Sequence, residues 1–183
     1  MTDRETELLE LARGTIAEAL RTGRRTTPAV DQLSPQLRAP GAAFVTLRTA
    51  STGALRGCIG SLEAHRPLGV DVAAHALDAA FRDPRFPPLQ DLADLRIDIC
   101  VLGELTDFPA DSYDDLVARI PVGSGLLVTA RGHRGTFLPT VWQELPQPAV
   151  FVAQLWRKAG LAPGSWPRGI ALATYSAVEF SES

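Results

Sequence analysis

The stretch Leu55-Arg56-Gly57-Cys58-Ile59-Gly60 (LRGCIG) decides how the rest of the chain is interpreted, and it carries one of only two cysteines. Its residues suit a strand, in which side chains alternate between the two faces. One predicted face carries Leu55, Gly57 and Ile59, and the other carries Arg56, Cys58 and Gly60. The first face is typical of a core. The second places a guanidinium beside a thiol.

Cys58 has two interpretations at this point. A neighbouring cation such as Arg56 favours the thiolate form of a cysteine, and Gly57 and Gly60 leave the backbone open to close approach by a ligand. Alternatively, a free cysteine is among the most buried residue types and often only packs. The six residues alone leave both interpretations open.

The preceding segment predicts the partner of this strand. Apolar and polar side chains alternate over Gly41–Thr49, and the cluster Ala50–Ala54 is typical of a turn. The two strands are therefore expected to form a hairpin, which places Cys58 in a sheet rather than on a helix.

Helices are predicted on both sides of this hairpin. Thr2 and Glu5 have the spacing of a capping box, and the apolar period that follows predicts a helix over about residues 3–20. Pro67 suits the first position of a second helix, which ends at Asp83-Pro84 because a residue before proline disfavours helix. The remaining predictions are helices over Asp111–Ile120 and Pro148–Ala159, a turn over Arg131–Gly135, and strands over Leu95–Val101, Gly125–Thr129, Thr136–Leu138 and Ile170–Phe180.

The order of these elements lacks regular strand–helix–strand alternation. It predicts an α+β fold, with a mixed, mostly antiparallel sheet flanked by helices. The length suits a single domain over residues 1–183.

Composition excludes several classes of function. The formal net charge of −3 and the pI of about 5.6 argue against broad nucleic-acid binding. No stretch is apolar enough to span a bilayer, no signal region is present, and Cys58 and Cys100 make no disulfide framework, so cytoplasm is predicted. The three histidines are scattered, without metal-ligand spacing, and the sequence predicts neither a metal nor a cofactor.

Two further groups are candidates for chemistry. His75 could act as a base for Cys58 with Asp71 or Asp78 orienting it, or it could simply border the apolar stripe of its helix. His65 is a second such candidate, in the loop between the hairpin and this helix, with exposure to solvent as its alternative.

Asp83 and Arg85 flank a proline corner that also has alternative interpretations. They could form a local ion pair that fixes the corner, or the corner could serve only to position Phe86 in the core. If Arg85 instead faces Cys58, it would join Arg56 in an anion site, since paired guanidinium groups suit carboxylate or phosphate.

The LRGCIG stretch, followed by Phe81-Arg82-Asp83-Pro84-Arg85-Phe86, resembles the AMMECR1 family. The match continues in the family's order through Gly125–Val128, Gly135–Pro139 and Lys158–Leu161. The resemblance implies an α+β fold with a larger and a smaller lobe, and a site at the LRGCIG stretch. It also implies partners, a Memo-like protein and a radical SAM protein in the AmmeMemoRadiSam set, but no reaction.

Two functional hypotheses follow. In the first, the protein is an accessory that binds a small anionic ligand or a partner segment; in the second, it is an enzyme whose nucleophile is Cys58. The predicted ligand-binding residues are Arg56, Gly57, Cys58, Gly60, Asp83 and Arg85, and the candidate catalytic residue is Cys58.

Overall fold

A computed structural model describes residues 1–182 and divides the chain into two compact units. The larger unit contains residues 1–102 and the C-terminal stretch from Val178, and the smaller unit contains Gly103–Ala177. Each has its own hydrophobic core. Within the described residues there are four α-helices and two four-stranded sheets, which confirms the α+β class.

The larger unit is built from a four-stranded sheet and two helices. Its helices are α1 (Asp3–Thr22) and α2 (Leu68–Phe81). Its strands are β1 (Ala42–Thr49), β2 (Leu55–Gly60), β3 (Leu95–Leu102) and β8 (Ala177–Ser181), in the sheet order β2-β1-β3-β8. Short 3₁₀ turns at Val30–Gln32 and Pro35–Leu37 occupy the connection after α1.

The smaller unit also consists of a four-stranded sheet and two α-helices. Its helices are α3 (Tyr113–Arg119) and α4 (Pro148–Lys158), with a 3₁₀ turn at Pro139–Gln143. Its strands are β4 (Thr106–Asp107), β5 (Gly125–Ala130), β6 (His133–Phe137) and β7 (Ala171–Tyr175), in the order β4-β7-β5-β6.

Strand periodicity explains where the core of the larger unit lies. β1 pairs antiparallel with both β2 and β3, and alternate residues of these strands are buried against α1 and α2. The fully buried side chains include Leu8, Ala12, Ile16, Val45, Leu47, Val72, Ala76, Ile97 and Ile99. The opposite face carries the polar and sulfur-containing side chains of the same strands.

The start of α1 behaves as the sequence predicts. The Thr2 side chain accepts the Glu5 N–H at 3.3 Å, and the Thr2 N–H donates to the Glu5 carboxylate at 2.8 Å. The helix ends where Gly23 adopts a left-handed conformation, with a φ of 73°.

Two predicted strands have different bounds in the structure. The strand expected over Ile170–Phe180 is interrupted at Ser176, and its halves, β7 and β8, belong to different sheets. β6 begins at His133, because Arg131 and Gly132 alone form the turn, with φ angles of 51° and 78°. The turn is therefore two residues long rather than five.

Candidate functional site

Cys58 lies on β2, at the edge of the larger sheet, with a half-buried side chain. Its neighbour Gly57 faces α2 so closely that an added Cβ would lie 2.2 Å from the Ala79 carbonyl oxygen. Because side chains alternate along a strand, the Cys58 thiol points to the sheet face away from α2.

Thr46 is the side chain in contact with the Cys58 sulfur. It lies directly opposite Cys58 in the hairpin register, and its hydroxyl donates to Sγ at 3.2 Å. Sequence reasoning did not select Thr46. The hairpin register was the signal that could have found it.

The corner after α2 binds the backbone of Cys58. The Cys58 N–H donates to Asp83 Oδ2 at 2.9 Å, and Arg85 Nη2 donates to the Cys58 carbonyl at 3.3 Å. An edge strand normally presents such groups unpaired. Here a carboxylate and a guanidinium replace the missing neighbouring strand, and they fix the backbone that carries the thiol.

Asp83 and Arg85 also bind each other. Arg85 donates from Nε to Oδ1 at 3.0 Å and from Nη2 to Oδ2 at 2.7 Å, a two-pronged pair. The Asp83 side chain is 1% exposed and that of Arg85 is 54% exposed. The Arg85 guanidinium, opposed by burial and helped by the backbone N–H groups, holds the pKa of Asp83 far below its usual range. The expected ion pair is thus present, and the same Arg85 side chain also reaches the backbone of Cys58.

Arg56 lies at an irregularity in the pairing of β1 with β2. The register between β1 and β2 shifts between Leu47 and Arg48, so that Arg56 is the unpaired residue of a β-bulge. Its guanidinium donates only long bonds of 3.4 Å to the Pro87 carbonyl. Of the two expected cations, Arg85 bonds to the backbone carbonyl of Cys58, and Arg56 donates to the Pro87 carbonyl.

The two glycines of the stretch are explained by packing. An added Cβ on Gly57 would collide with the backbone of α2 at Ala79, and one on Gly60 would lie 2.3 Å from the Phe44 ring. The protein's own atoms fill this space, which is the alternative to close approach by a ligand. Arg56 and Cys58 remain as the side chains of the stretch that offer polar chemistry.

His75 is not placed to activate Cys58. It lies on α2, on the other side of the sheet from the thiol, with Nε2 3.3 Å from Asp71 Oδ1. Asp71 also accepts Arg66 Nε at 2.8 Å and the Ala43 N–H at 3.0 Å. Asp71 therefore orients His75, as one interpretation expected, but the pair joins α2 to β1 and the loop after β2.

His65 belongs to that loop and has an exposed side chain. Its Nε2 lies 3.3 Å from the Glu63 carboxylate. Solvent exposure was the alternative interpretation of this histidine, and the structure agrees with it.

Cys100 shares the sheet face of Cys58 without being able to bridge to it. Cys58 and Cys100 lie on β2 and β3, on either side of β1, so about 10 Å of sheet width separates them, beyond the reach of about 7 Å between the Cα atoms of a disulfide. Burial and the Glu179 carboxylate raise the pKa of Cys100 to about 12. The two thiols are therefore chemically distinct, with Cys58 the more accessible.

Residues 1–182 lack two other kinds of feature. No group of three or more histidine, cysteine or carboxylate side chains is arranged to hold a metal ion. No helix in this range has the length and apolarity needed to cross a bilayer.

Fold and site together define an α+β protein with two small antiparallel sheets. Its candidate thiol lies on an edge strand whose backbone is bound by Asp83 and Arg85, a contact called the clamp on β2 below. The AMMECR1 family model matches residues 9–180, and the chain belongs to the AMMECR1 family.

Relatives from archaea share most of its length. Protein SSO0193 of Saccharolobus solfataricus is 38% identical over 170 residues, covering 87% of this chain and 72% of its own. Protein MK0488 of Methanopyrus kandleri is 32% identical, covering 87% and 78% respectively. The crystal structure of uncharacterized protein PH0010 from Pyrococcus horikoshii is similar, with a TM-score of 0.83, 32% identity and coverage of 96% of this chain and 90% of that one.

Proposed function

We propose that this protein is an accessory binding protein, which receives a small anionic ligand beside Arg56 and Cys58 and acts with a Memo-like protein and a radical SAM protein. The observation that supports the binding role is the set of groups around Cys58. Its backbone is fixed by Asp83 and Arg85, while the nearest candidate base on α2, His75, lies across the sheet with Asp71. This arrangement positions a surface and supplies no base to the thiol.

Arg56 is the cation best suited to the anion. Arg85 is paired with Asp83, whereas Arg56 has no carboxylate partner among residues 1–182. An unpaired guanidinium binds carboxylate or phosphate through charge-assisted hydrogen bonds. Arg85, with over half of its side chain exposed, contributes its remaining donors to the rim of the same surface.

Anion binding is tested by calorimetric titration of the protein with pyrophosphate and citrate. Arg56→Gln is expected to weaken binding about tenfold, the loss of one strong charge-assisted contact. Arg21→Gln is the matched control, because Arg21 is an exposed helical arginine paired with Glu18. Equal binding by the wild type and both variants would refute the role of Arg56.

The partnership is tested separately, by co-purification with the Memo-like and radical SAM proteins of the same organism. A complex that survives in Arg21→Gln and is lost in Arg56→Gln supports a shared surface. Failure of either partner to associate with the wild-type chain argues against the partnership and leaves anion binding to its own test.

The alternative function is an enzyme that uses Cys58 as nucleophile on a small anionic substrate. The observation that favours it is the pair of donors around the cysteine, the Thr46 hydroxyl on Sγ and Arg85 on the carbonyl. Iodoacetamide labelling of the native protein, with Cys58→Ala and Cys100→Ala as controls, distinguishes the two functions. Labelling of Cys58 more than about tenfold faster than a free thiol supports the enzyme, and labelling at or below that rate supports the binding protein.

A further inference from the structure

A cavity of about 250 Å³ lies beside Arg56 in the larger unit. Its walls are Thr49 at the end of β1, Arg56 on β2, and residues of the segment Leu89–Leu95. Cavities for drug-sized ligands measure roughly 300–1,000 Å³. This one therefore suits a smaller molecule.

Arg56 is the cation in the wall of this cavity. Its guanidinium makes only the two 3.4 Å contacts with the Pro87 carbonyl and has no ion pair within the part of the chain described. Several of its donors are thus available to a ligand. The bulge at this residue is typical of places where a strand redirects a side chain towards a site.

Asp91 is one of two carboxylates in the wall of this cavity. One of its oxygens, Oδ1, accepts the Ala93 N–H at 2.8 Å, and no cation pairs with it in residues 1–182. The other carboxylate in the wall, Asp94, is different, because Ser51 donates to both of its oxygens. Asp91 is therefore the carboxylate with an oxygen to offer.

Arg56 and Asp91 line one cavity but do not pair with each other. From this arrangement we infer that the cavity binds a free α-amino acid, whose carboxylate bonds to Arg56 and whose ammonium group bonds to Asp91. This inference rests on the proposed function, in which Arg56 is the anion receptor, and it names the ligand class.

The experiment is calorimetric titration of the full chain with each of the twenty protein amino acids. Acetate and methylammonium serve as probes that carry only one of the two charges. At least one amino acid is expected to bind about tenfold tighter than acetate, because only a zwitterion bonds to both Arg56 and Asp91.

Three variants locate the binding. Arg56→Gln and Asp91→Asn are each expected to weaken amino-acid binding about tenfold, and asparagine keeps the oxygen that accepts the Ala93 N–H. Arg21→Gln is expected to bind as the wild type does. Thermal unfolding of every variant confirms that it is folded, since the substituted side chains are at the surface.

The outcomes separate the two proposals. If Arg56→Gln weakens the binding of acetate and amino acids equally and Asp91→Asn changes nothing, the amino-acid inference is overturned while anion binding at Arg56 stands. If amino acids bind but neither variant weakens them, the amino-acid inference is overturned, and anion binding at Arg56 is decided by the titrations with pyrophosphate and citrate. If no amino acid binds, the inference is overturned whatever pyrophosphate does.

Discussion

Each unit of this protein has an edge strand covered by the end of a helix, and the two edges differ in their chemistry. On β2, Gly57 admits the backbone of α2, and the Asp83–Arg85 pair binds both polar groups of the Cys58 backbone. On β6, Gly135 packs against Ala159 just after α4, and Lys158 donates to the Thr136 carbonyl at 2.9 Å.

The two edge strands differ in the side chains that cover them. A single cation that covers one carbonyl is a common protection of an exposed edge. A buried carboxylate is costly unless it is fully paired. Asp83 at β2 accepts the backbone N–H groups of Cys58 and Arg85 and the Arg85 guanidinium. The stronger clamp lies at the strand that carries Cys58 and Arg56, which is the strand proposed to bind a ligand.

The largest expected effect concerns the glycines of the two edges. Gly57→Ala is expected to lower the free energy of unfolding by about 3 kcal/mol, because its Cβ would meet the Ala79 carbonyl oxygen at 2.2 Å. Gly135→Ala is expected to cost about 1.5 kcal/mol, since its nearest neighbour is the Ala159 methyl at 2.7 Å. Urea unfolding measures both.

Gly14→Ala is the control for these variants. Gly14 lies in α1 with no atom within 4 Å of an added Cβ. The substitution is expected to stabilise the protein by about 0.5–1 kcal/mol, the helical preference for alanine. A loss for Gly57→Ala no greater than that for Gly135→Ala would contradict the closer packing of β2.

Asp83→Asn tests the clamp on β2. The asparagine preserves the shape of the side chain but lacks the charge that Arg85 binds. The free energy of unfolding at neutral pH is therefore expected to fall by about 2 kcal/mol. Arg82→Gln removes a neighbouring arginine from an exposed pair with Asp78, and it is the matched control with little expected effect. Equal losses for the two variants would show that the clamp contributes no more than a surface ion pair.

The same carboxylate predicts a pH dependence. Because the pKa of Asp83 is lowered in the folded protein, its stabilisation is complete above the ordinary aspartate pKa of about 3.9 and is lost as the pH falls below that value. The stability difference between wild type and Asp83→Asn should therefore be constant at neutral pH and shrink below about pH 4. A difference that is unchanged down to pH 3 would contradict this origin.

Lys158→Met tests the weaker cover on β6. The methionine keeps an apolar stem near the Phe137 ring, over which Lys158 lies at 5.1 Å, and removes the donor to Thr136. A loss of about 0.5 kcal/mol is expected for this exposed contact, as measured by thermal unfolding. A loss as large as that of Asp83→Asn would remove the distinction between the edges.

The smallest expected effect is at the turn that leads into β6. Arg131 adopts a φ of 51° before Gly132, a conformation that suits asparagine better than arginine. Arg131→Asn is expected to stabilise the protein by about 0.5 kcal/mol. Destabilisation in the same thermal assay would mean that contacts of the arginine stabilise the protein by more than the turn preference for asparagine does.

Local periodicity was enough to predict the opposite faces of Gly57 and Cys58, because a strand has a period of two residues. It did not predict the β-bulge at Arg56. The bulge there depends on how β2 pairs with β1, and the alternating pattern carries no mark of it. The contact between Cys58 and Asp83 likewise joins residues 25 apart and depends on where α2 ends beside β2.

The division of the strand predicted over Ile170–Phe180 has a similar cause. Its residues suit one continuous strand, and no proline or glycine marks a break. Ser176 instead bonds back to Gly103, whose N–H donates to the Ser176 carbonyl at 2.8 Å. This long-range bond closes the smaller unit at the point where β7 ends, and the sequence around Ser176 gives no local signal for it.

The position of β8 beside β3 has a consequence for synthesis on the ribosome. β3 leaves the ribosome before the whole smaller unit, and its neighbour β8 follows only afterwards. Throughout that interval the growing chain carries an unprotected β3 edge, which is a template for association with other chains. β8 completes the sheet and covers this edge of β3.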